Sequence, residues 1–246
     1  MQHTHSLSGS IRVVVFDVDG TLVTDSIHRD KHNFILGHIY HRPDLLLSPQ
    51  EWSRIRGLSD EDAYRYVSNK AGRYSRHLSS FLSESTYLGI ARRYVTTNLG
   101  RLHMREGVQD IIVAAETLGL LLGVATNADW PETHQKLHAT GLYKHFRFFS
   151  CLDGVMAPKP APDLYVHSVR AACDLLGHAL DPSQVLAVED TEVGATAAAC
   201  AGCRVVFWPS EDRDITAREL VCNDRPVVVA RTAEDCIHYL AAVSRS

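Results

Sequence analysis

Four stretches, residues 11–16, 120–125, 185–188 and 204–207, are nearly unbroken apolar runs, the first of them rich in β-branched side chains. Without polar alternation, such a run reads as a strand covered on both faces, as in a parallel sheet. Phe148 and Phe149 mark a further short strand. Between the runs the apolar spacing turns helical. Val108, Ile111, Ile112, Ala115 and Leu118 share one face, with Gly119 as the stop. Pro162 and Asp163 open a helix running to about Gly177, the proline suiting a first turn. A helix of small residues spans about 192–201 and ends near Gly202, and a last strand (227–230) with a helix is expected within 211–246. Strands alternating with helices predict an α/β domain built on a parallel sheet.

The stretch 26–104 breaks this pattern. It has no buried-strand run, and it carries Tyr, Arg and His in helix-length segments, so it reads as a helical insertion after the first strand. It holds 12 Lys/Arg against 7 Asp/Glu, a net of +5 in a chain whose net charge is −4. A basic insertion on an acidic body fits a lid that meets an anionic ligand; a solvated face with an excess of arginine fits equally well. The chain as a whole, 246 residues with 45% hydrophobic and 22% charged, has the makings of a folded core. Its mildly acidic balance argues against a dedicated nucleic-acid binder. No run approaches the ~20 apolar residues that span a bilayer, and the polar first six residues, His3 and His5 among them, do not resemble a signal peptide. A cytoplasmic protein is expected. Six cysteines without a dense framework fit a reducing compartment, and the single C-x-x-C, Cys200 and Cys203, has no second pair to complete a zinc site. The 14 histidines show no tight ligand spacing, and His38 and His41 read as solvated.

The chemistry begins at Asp17-Val18-Asp19-Gly20-Thr21, directly after the first strand. Residues i and i+2 of an extended chain project to one side, so two carboxylates would stand together at the carboxyl end of a buried strand, where open α/β sheets bind ligands. A strand followed by a turn with capping aspartates is the structural alternative. Paired carboxylates repel unless a cation or a shared proton offsets them. Thr126-Asn127 follows the second strand and offers a hydroxyl and backbone N–H groups to an anion, although the pair is also ordinary turn chemistry. Lys159 sits between Pro158 and Pro160, which limit where its ammonium can point. Glu189-Asp190 adds carboxylates at the end of another strand, unless Asp190 only caps the next helix. Together these supply a nucleophile, an acid/base, two anion-binding groups and a hard-cation site suited to Mg²⁺. That set serves phosphoryl transfer to a carboxylate.

The order D-x-D-G-T, Thr, Lys, E-D resembles the four motifs of the haloacid dehalogenase superfamily, matched over about 13–207. The resemblance implies a Rossmann-like core (1–24 and 105–246) with a helical cap (25–104) inserted after the first strand. Asp17 would be the nucleophile that forms an aspartyl-phosphate, and Asp19 would protonate the leaving oxygen and then activate water. Thr126 and Lys159 would hold the transferring group. Mg²⁺ would rest on Asp17, the backbone carbonyl of Asp19, and Asp190, with Glu189 close by. Gly107 lies 86 positions after Thr21, room for a lid, whereas the 33 positions from Thr126 to Lys159 leave none for a second. Arg56-Gly57-Leu58-Ser59-Asp60-Glu61-Asp62 resembles the cap loop of the β-phosphoglucomutase-like group. Arg56, Gly57, Ser59 and Asn127 are accordingly expected to face the substrate, and Ser59 also has the position of a helix N-cap.

Asp19 distinguishes among activities, because dehalogenases proper lack an acid there. Mutases of the group carry an arginine just after the cap-loop serine; here that position is Asp60, and an aspartate does not replace an arginine clamp. The expected activity is therefore a Mg²⁺-dependent phosphatase acting on a small phosphorylated metabolite, such as a sugar phosphate. The alternatives are a sugar phosphomutase using Arg56, and a catalytically idle member that binds a phosphometabolite or a protein.

Overall fold

The structure, a computed structural model, describes residues 10–73, 82–209, 221–222 and 225–244. The polar N-terminal tail with His3 and His5, and part of the expected 211–246 segment, lie outside them. The apolar runs form strands β1 (Val13–Phe16), β2 (Leu121–Thr126), β4 (Val185–Glu189) and β5 (Arg204–Phe207), and the phenylalanine pair opens β3 (Phe148–Cys151). Two strands follow, β6 (Val221–Cys222) and β7 (Arg225–Val229). Their order in the sheet is β3-β2-β1-β4-β5-β7-β6. The first six of these pair in parallel, and β6 adds a short antiparallel edge.

Burial on both faces explains the unbroken runs. Val14 and Phe16 of β1 join Leu186, Val188 and Val206 under α5 (Val108–Thr117), α6 (Trp130–Ala139) and α9 (Ala233–Ser244). Val13 and Val15 join Val185, Ala187, Val205 and Phe207 under α7 (Asp163–Leu176) and α8 (Glu192–Cys200). Each Val, Leu or Phe side chain so enclosed stabilises the sheet by roughly 1.5–3 kcal/mol. The small residues of α8 let it lie close to the sheet; Cys203 is buried just beyond it and Cys200 is exposed, as expected of small residues at a helix end.

Residues 26–73 and 82–97 form the helical insertion: α1 (Ser26–Phe34), which runs on into a π-helical turn at Ile35–Ile39, then α2 (Pro49–Ile55), α3 (Asp60–Arg73) and α4 (Glu84–Thr97). Ser48 starts α2 with a capping box, its hydroxyl accepting from Glu51 N while Glu51 reaches back to Ser48 N, and Pro49 takes the first turn. The unit has its own apolar core, including Ile35, Leu36, Ile55, Val67 and Tyr87. Tyr64 and Tyr66 pack against that core. The chain enters and leaves the unit side by side: Val23 bridges Met104, Thr24 N donates to His103 O at 2.9 Å, and Arg105 N donates to Leu22 O at 3.0 Å. Among the described residues no helix is long and apolar enough to cross a membrane.

Candidate active site

Strand order places the site. β1 is central, with β2 on one side and β4 on the other, so the carboxyl ends of three adjacent strands carry Asp17, Thr126 and Glu189. Asp17 N donates to Val188 O at 3.0 Å, extending the ladder one residue past β1 and fixing the Asp17 backbone against β4. Gly20 turns the chain away with φ 94°, a left-handed conformation that favours glycine, and a Cβ there would collide with the Asp190 carboxylate.

Lys159 draws the centre together. Its Nζ donates to Asp17 Oδ1 at 2.6 Å, Glu189 Oε1 at 2.7 Å and Ala125 O at 2.8 Å. Its mount is held by Asn127, whose Oδ1 accepts from Lys159 N at 2.9 Å. Tyr165 OH donates to the same Glu189 oxygen. Burial raises the Asp17 carboxyl above the usual range; Lys159 opposes this and Asp19 adds to it. Burial likewise pushes Glu189 up to about 8, against Lys159 and with Asp17, and pushes Asp190 up to about 7, against Arg56 and with Asp17 and Asp25. Burial works against the Lys159 ammonium, but Asp17 and Glu189 outweigh it and hold its pKa above the ordinary lysine value.

Asp17, Glu189 and Asp190 offer oxygens that lie within 4.8 Å of one another. Glu189 Oε2 is buried without a hydrogen-bond partner among the described residues. An all-oxygen donor set, one of its atoms orphaned and its acids reluctant to ionise, fits a hard divalent cation such as Mg²⁺. A second acidic group, Asp19, His28 and Glu132, surrounds the Lys136 ammonium, which supplies the positive charge itself. That group does not present a metal site.

The sequence-predicted residues converge, with two of them, Arg56 and Asp19, turned to other partners. Asp17, Asp19, Thr126, Asn127, Lys159, Arg56, Gly57 and Ser59 all line one cleft between the sheet and the helical unit. Thr126 is buried, and its hydroxyl accepts from Ala128 N at 3.1 Å. Ser59 Oγ accepts from Asp62 N at 3.2 Å, the capping role its spacing predicts. Asn127 Nδ2 donates to Gly57 O at 3.0 Å, tying the sheet to the loop between α2 and α3. Arg56 is turned toward acids. Its Nη2 is paired with Asp190 Oδ2, and its Nε lies 2.7 Å from Asp25 Oδ2. Asp19 turns its carboxylate away from the three acids toward Lys136 and His28.

Among the described residues, most of the insertion's basic side chains do not face the cleft. Arg29, Arg54, Arg73 and Arg93 are exposed, and Arg42, Lys70 and Arg101 pair with Asp44, Glu51 and Asp30 away from it. The solvated-face alternative thus accounts for most of that charge. Trp130 is exposed and packs on Phe149 and His134 outside the cleft, whereas Trp52 lines it.

Several contributors carry no sequence signal. Lys136 and Glu132 read as an ordinary i,i+4 helix pair, and His28 as one of many histidines. Arg105 looks like a loop arginine, yet it donates to Gly20 O at 2.8 Å and to Trp208 O and Pro209 O at 2.7 Å, with its guanidinium 3.5 Å from the Trp208 ring centroid. It braces the turn that carries Asp19.

A family profile for haloacid dehalogenase-like hydrolases matches residues 11–202, more than three quarters of the chain and every element of this site. The chain belongs to the haloacid dehalogenase-like hydrolase family. As a member of that family it is an enzyme, a hydrolase with phosphatase-named relatives. It is 27% identical over 202 residues to the putative phosphatase YhcW of Bacillus subtilis, covering 82% of this chain and 84% of that protein. It is 30% identical over 220 residues to protein CbbY of Rhodobacter capsulatus, covering 82% and 86%. In fold it is similar to CbbY from Rhodobacter sphaeroides, solved in complex with xylulose-(1,5)bisphosphate, with a TM-score of 0.68 at 23% identity over 91% of this chain and 95% of that one. The haloacid dehalogenase-like fold thus accounts for both the sheet order and the position of the acids at its switch point.

Proposed function

We propose that this hydrolase is a Mg²⁺-dependent phosphatase that removes the phosphoryl group from a small phosphorylated metabolite through an aspartyl-phosphate at Asp17. The observation that carries the reading is the Lys159 ammonium 2.6 Å from Asp17 Oδ1, inside a buried trio of acids at the ends of β1 and β4. In this reading Asp17 attacks phosphorus, and the ester oxygen leaves with a proton from Asp19. Water then attacks the acyl-phosphate with Asp19 as base, releasing phosphate and restoring Asp17. Lys159 and the Thr126 hydroxyl hold the equatorial oxygens. Asp17, Glu189 and Asp190 would hold Mg²⁺, which when bound offsets the crowded negative charge of acids and substrate. The helical unit acts as a lid whose α2–α3 loop, docked by the Asn127–Gly57 hydrogen bond, excludes bulk water from the acyl-phosphate. The phosphatase-named relative and the sugar bisphosphate seen in a fold neighbour support phosphorylated small molecules as the substrate class.

The mutase alternative is less well supported, because Arg56 is engaged by two carboxylates where a second phosphate would need it. Purified protein with Mg²⁺ and a panel of sugar and polyol phosphates separates the readings. Phosphate release that is lost in Asp17→Asn is the expected result. Isomerised sugar phosphate without phosphate release would establish a mutase, and no turnover together with no trapped fluoride-based phosphoryl mimic would establish an idle binder.

A further inference from the structure

The cleft above Asp17 encloses about 590 Å³, and its wall carries nine carboxylates against four Lys or Arg side chains. Each of the four cations is already committed within the chain. Lys159 lies on Asp17 and Glu189, Arg56 on Asp25 and Asp190, Arg65 on Asp62 at 2.7 Å, and Arg92 on Asp129 at 2.5 Å. Behind the wall, Lys31 and Lys136 are spent in the same way on Asp60 and on Asp19 and Glu132.

The phosphoryl-binding end is local: Lys159, Thr126 and the proposed cation serve one phosphate at Asp17. Beyond it the wall turns acidic. Glu61 and Asp62 stand on the first turn of α3, and Asp153 on the opposite lip, with Trp52, Leu58 and Met156 supplying apolar area between them. An anionic group on the far end of a substrate would meet these carboxylates. Recruiting Arg65 or Arg92 to it would strip that arginine from its own acid and leave the acid facing the newcomer, so the gain largely cancels. Hydroxyl and amine groups, by contrast, are donors that carboxylates accept from directly.

We propose that the cleft selects monophosphate esters whose remaining portion carries hydroxyl or amine groups and no second phosphate or carboxylate. The proposal rests on the phosphatase reading and narrows it: a bisphosphate of the kind bound in the fold neighbour is disfavoured here.

The test uses the full chain with Mg²⁺ and matched pairs of substrates, glucose 1-phosphate against glucose 1,6-bisphosphate and glycerol 3-phosphate against 3-phosphoglycerate, with p-nitrophenyl phosphate as a neutral reference. The kcat/KM for phosphate release is expected to be at least about tenfold higher for the member of each pair with one anionic group, mainly through KM. In Asp62→Asn and in Glu61→Gln that ratio is expected to shift several-fold toward the member with two anionic groups, an effect that general damage to the fold would not produce. Equal or reversed ratios in the wild type, with p-nitrophenyl phosphate still turned over, overturn the selectivity while leaving the phosphatase reading intact. No phosphate release from any compound, p-nitrophenyl phosphate included, overturns the phosphatase reading and this inference with it.

Discussion

Lys136 holds both carboxylate oxygens of Asp19, its Nζ lying 2.8 Å from Oδ1 and 2.7 Å from Oδ2. The two residues are 117 positions apart, and the ammonium is fully buried on α6. His28 Nε2 lies 2.9 Å from the same Asp19 Oδ1. Burial alone would raise the Asp19 carboxyl, but His28 and Lys136 outweigh it and hold its pKa well below the usual range. The proposed acid/base is therefore kept ionised by a partner that lies outside the four sequence motifs.

That pairing predicts a shift in the pH profile. As the base for water attack on the acyl-phosphate, Asp19 must be ionised, so the acid limb of kcat reports its pKa. Lys136→Met removes a neighbouring positive charge, the pKa rises, and the acid limb should move to higher pH. Lys136→Arg keeps the charge and should keep the limb in place. The Met variant also leaves Glu132 buried without its ammonium, which lies at 2.5 Å, and loss of one partner of a buried pair costs about 3–5 kcal/mol. A large fall in Tm with an unmoved pH limb would reduce Lys136 to a structural role.

Gly57 gives a second prediction. Its φ is 80°, and a Cβ would lie 2.7 Å from Thr191 Oγ1. Thr191 cannot retreat freely, because its hydroxyl accepts from Gly194 N at 3.2 Å to cap α8. Gly57→Ala should therefore hold the α2–α3 loop off the sheet and weaken the Asn127 contact to Gly57 O. The expected outcome is a loss in kcat/KM of about tenfold or more with Tm changed by only a few degrees, measured by steady-state kinetics and thermal melting. Unchanged kinetics would show that this contact does not accompany turnover.

His32 sets an acid limit on stability. It is buried in the helical unit, where its Nδ1 lies 2.6 Å from Tyr87 OH. Burial first, and the neighbouring Lys31 charge second, push its pKa down from 6.5 to about 3. Between those values the unfolded chain binds a proton that the folded chain refuses. Stability is thus greatest above pH 6.5 and falls as pH drops, by up to ~1.4 kcal/mol per unit for this group. Asp60, also held low, responds only below its ordinary value of 3.8. Denaturant titrations at pH 6 and pH 4.5 should show a smaller difference for His32→Asn than for the wild type, and an equal difference would remove His32 as the cause.

How much of this was legible beforehand follows from the range of the forces involved. The unbroken apolar runs disclosed the parallel sheet because burial on both faces leaves no room for polar alternation, and β5 falls on 204–207 as read. The candidate centre could be read because strand ends at a switch point bring Asp17, Thr126 and Glu189 together whatever the loops do. Charge in the insertion could not be read in the same way. A net of +5 carries no direction, and which arginines face the cleft depends on helix rotation set by the apolar core around Tyr87 and Val67. Partnerships such as Lys136 with Asp19, or Arg105 with Gly20 O, join residues 117 and 85 positions apart and leave no local trace.

Arg56 carries the last prediction. With its Nη2 paired to Asp190 Oδ2 and its Nε 2.7 Å from Asp25 Oδ2, its guanidinium brings positive charge to the acid trio from the helical unit. A divalent cation using Asp190 must share or displace that contact. Arg56→Gln removes the competing charge. The trade-off is that Asp190, already pushed up to about 7 by burial, loses a neighbour that favours its ionised form. The protonation penalty in the variant is smaller at pH 8.5, so competition weighs most there, while at pH 6.5 protonation offsets the gain. Calorimetric titration of Mg²⁺ should accordingly show tighter binding in Arg56→Gln than in the wild type at pH 8.5, by about tenfold or ~1.4 kcal/mol, with the advantage shrinking at pH 6.5. Weaker binding at both pH values would mean that Arg56 supports the cation site instead of competing for it.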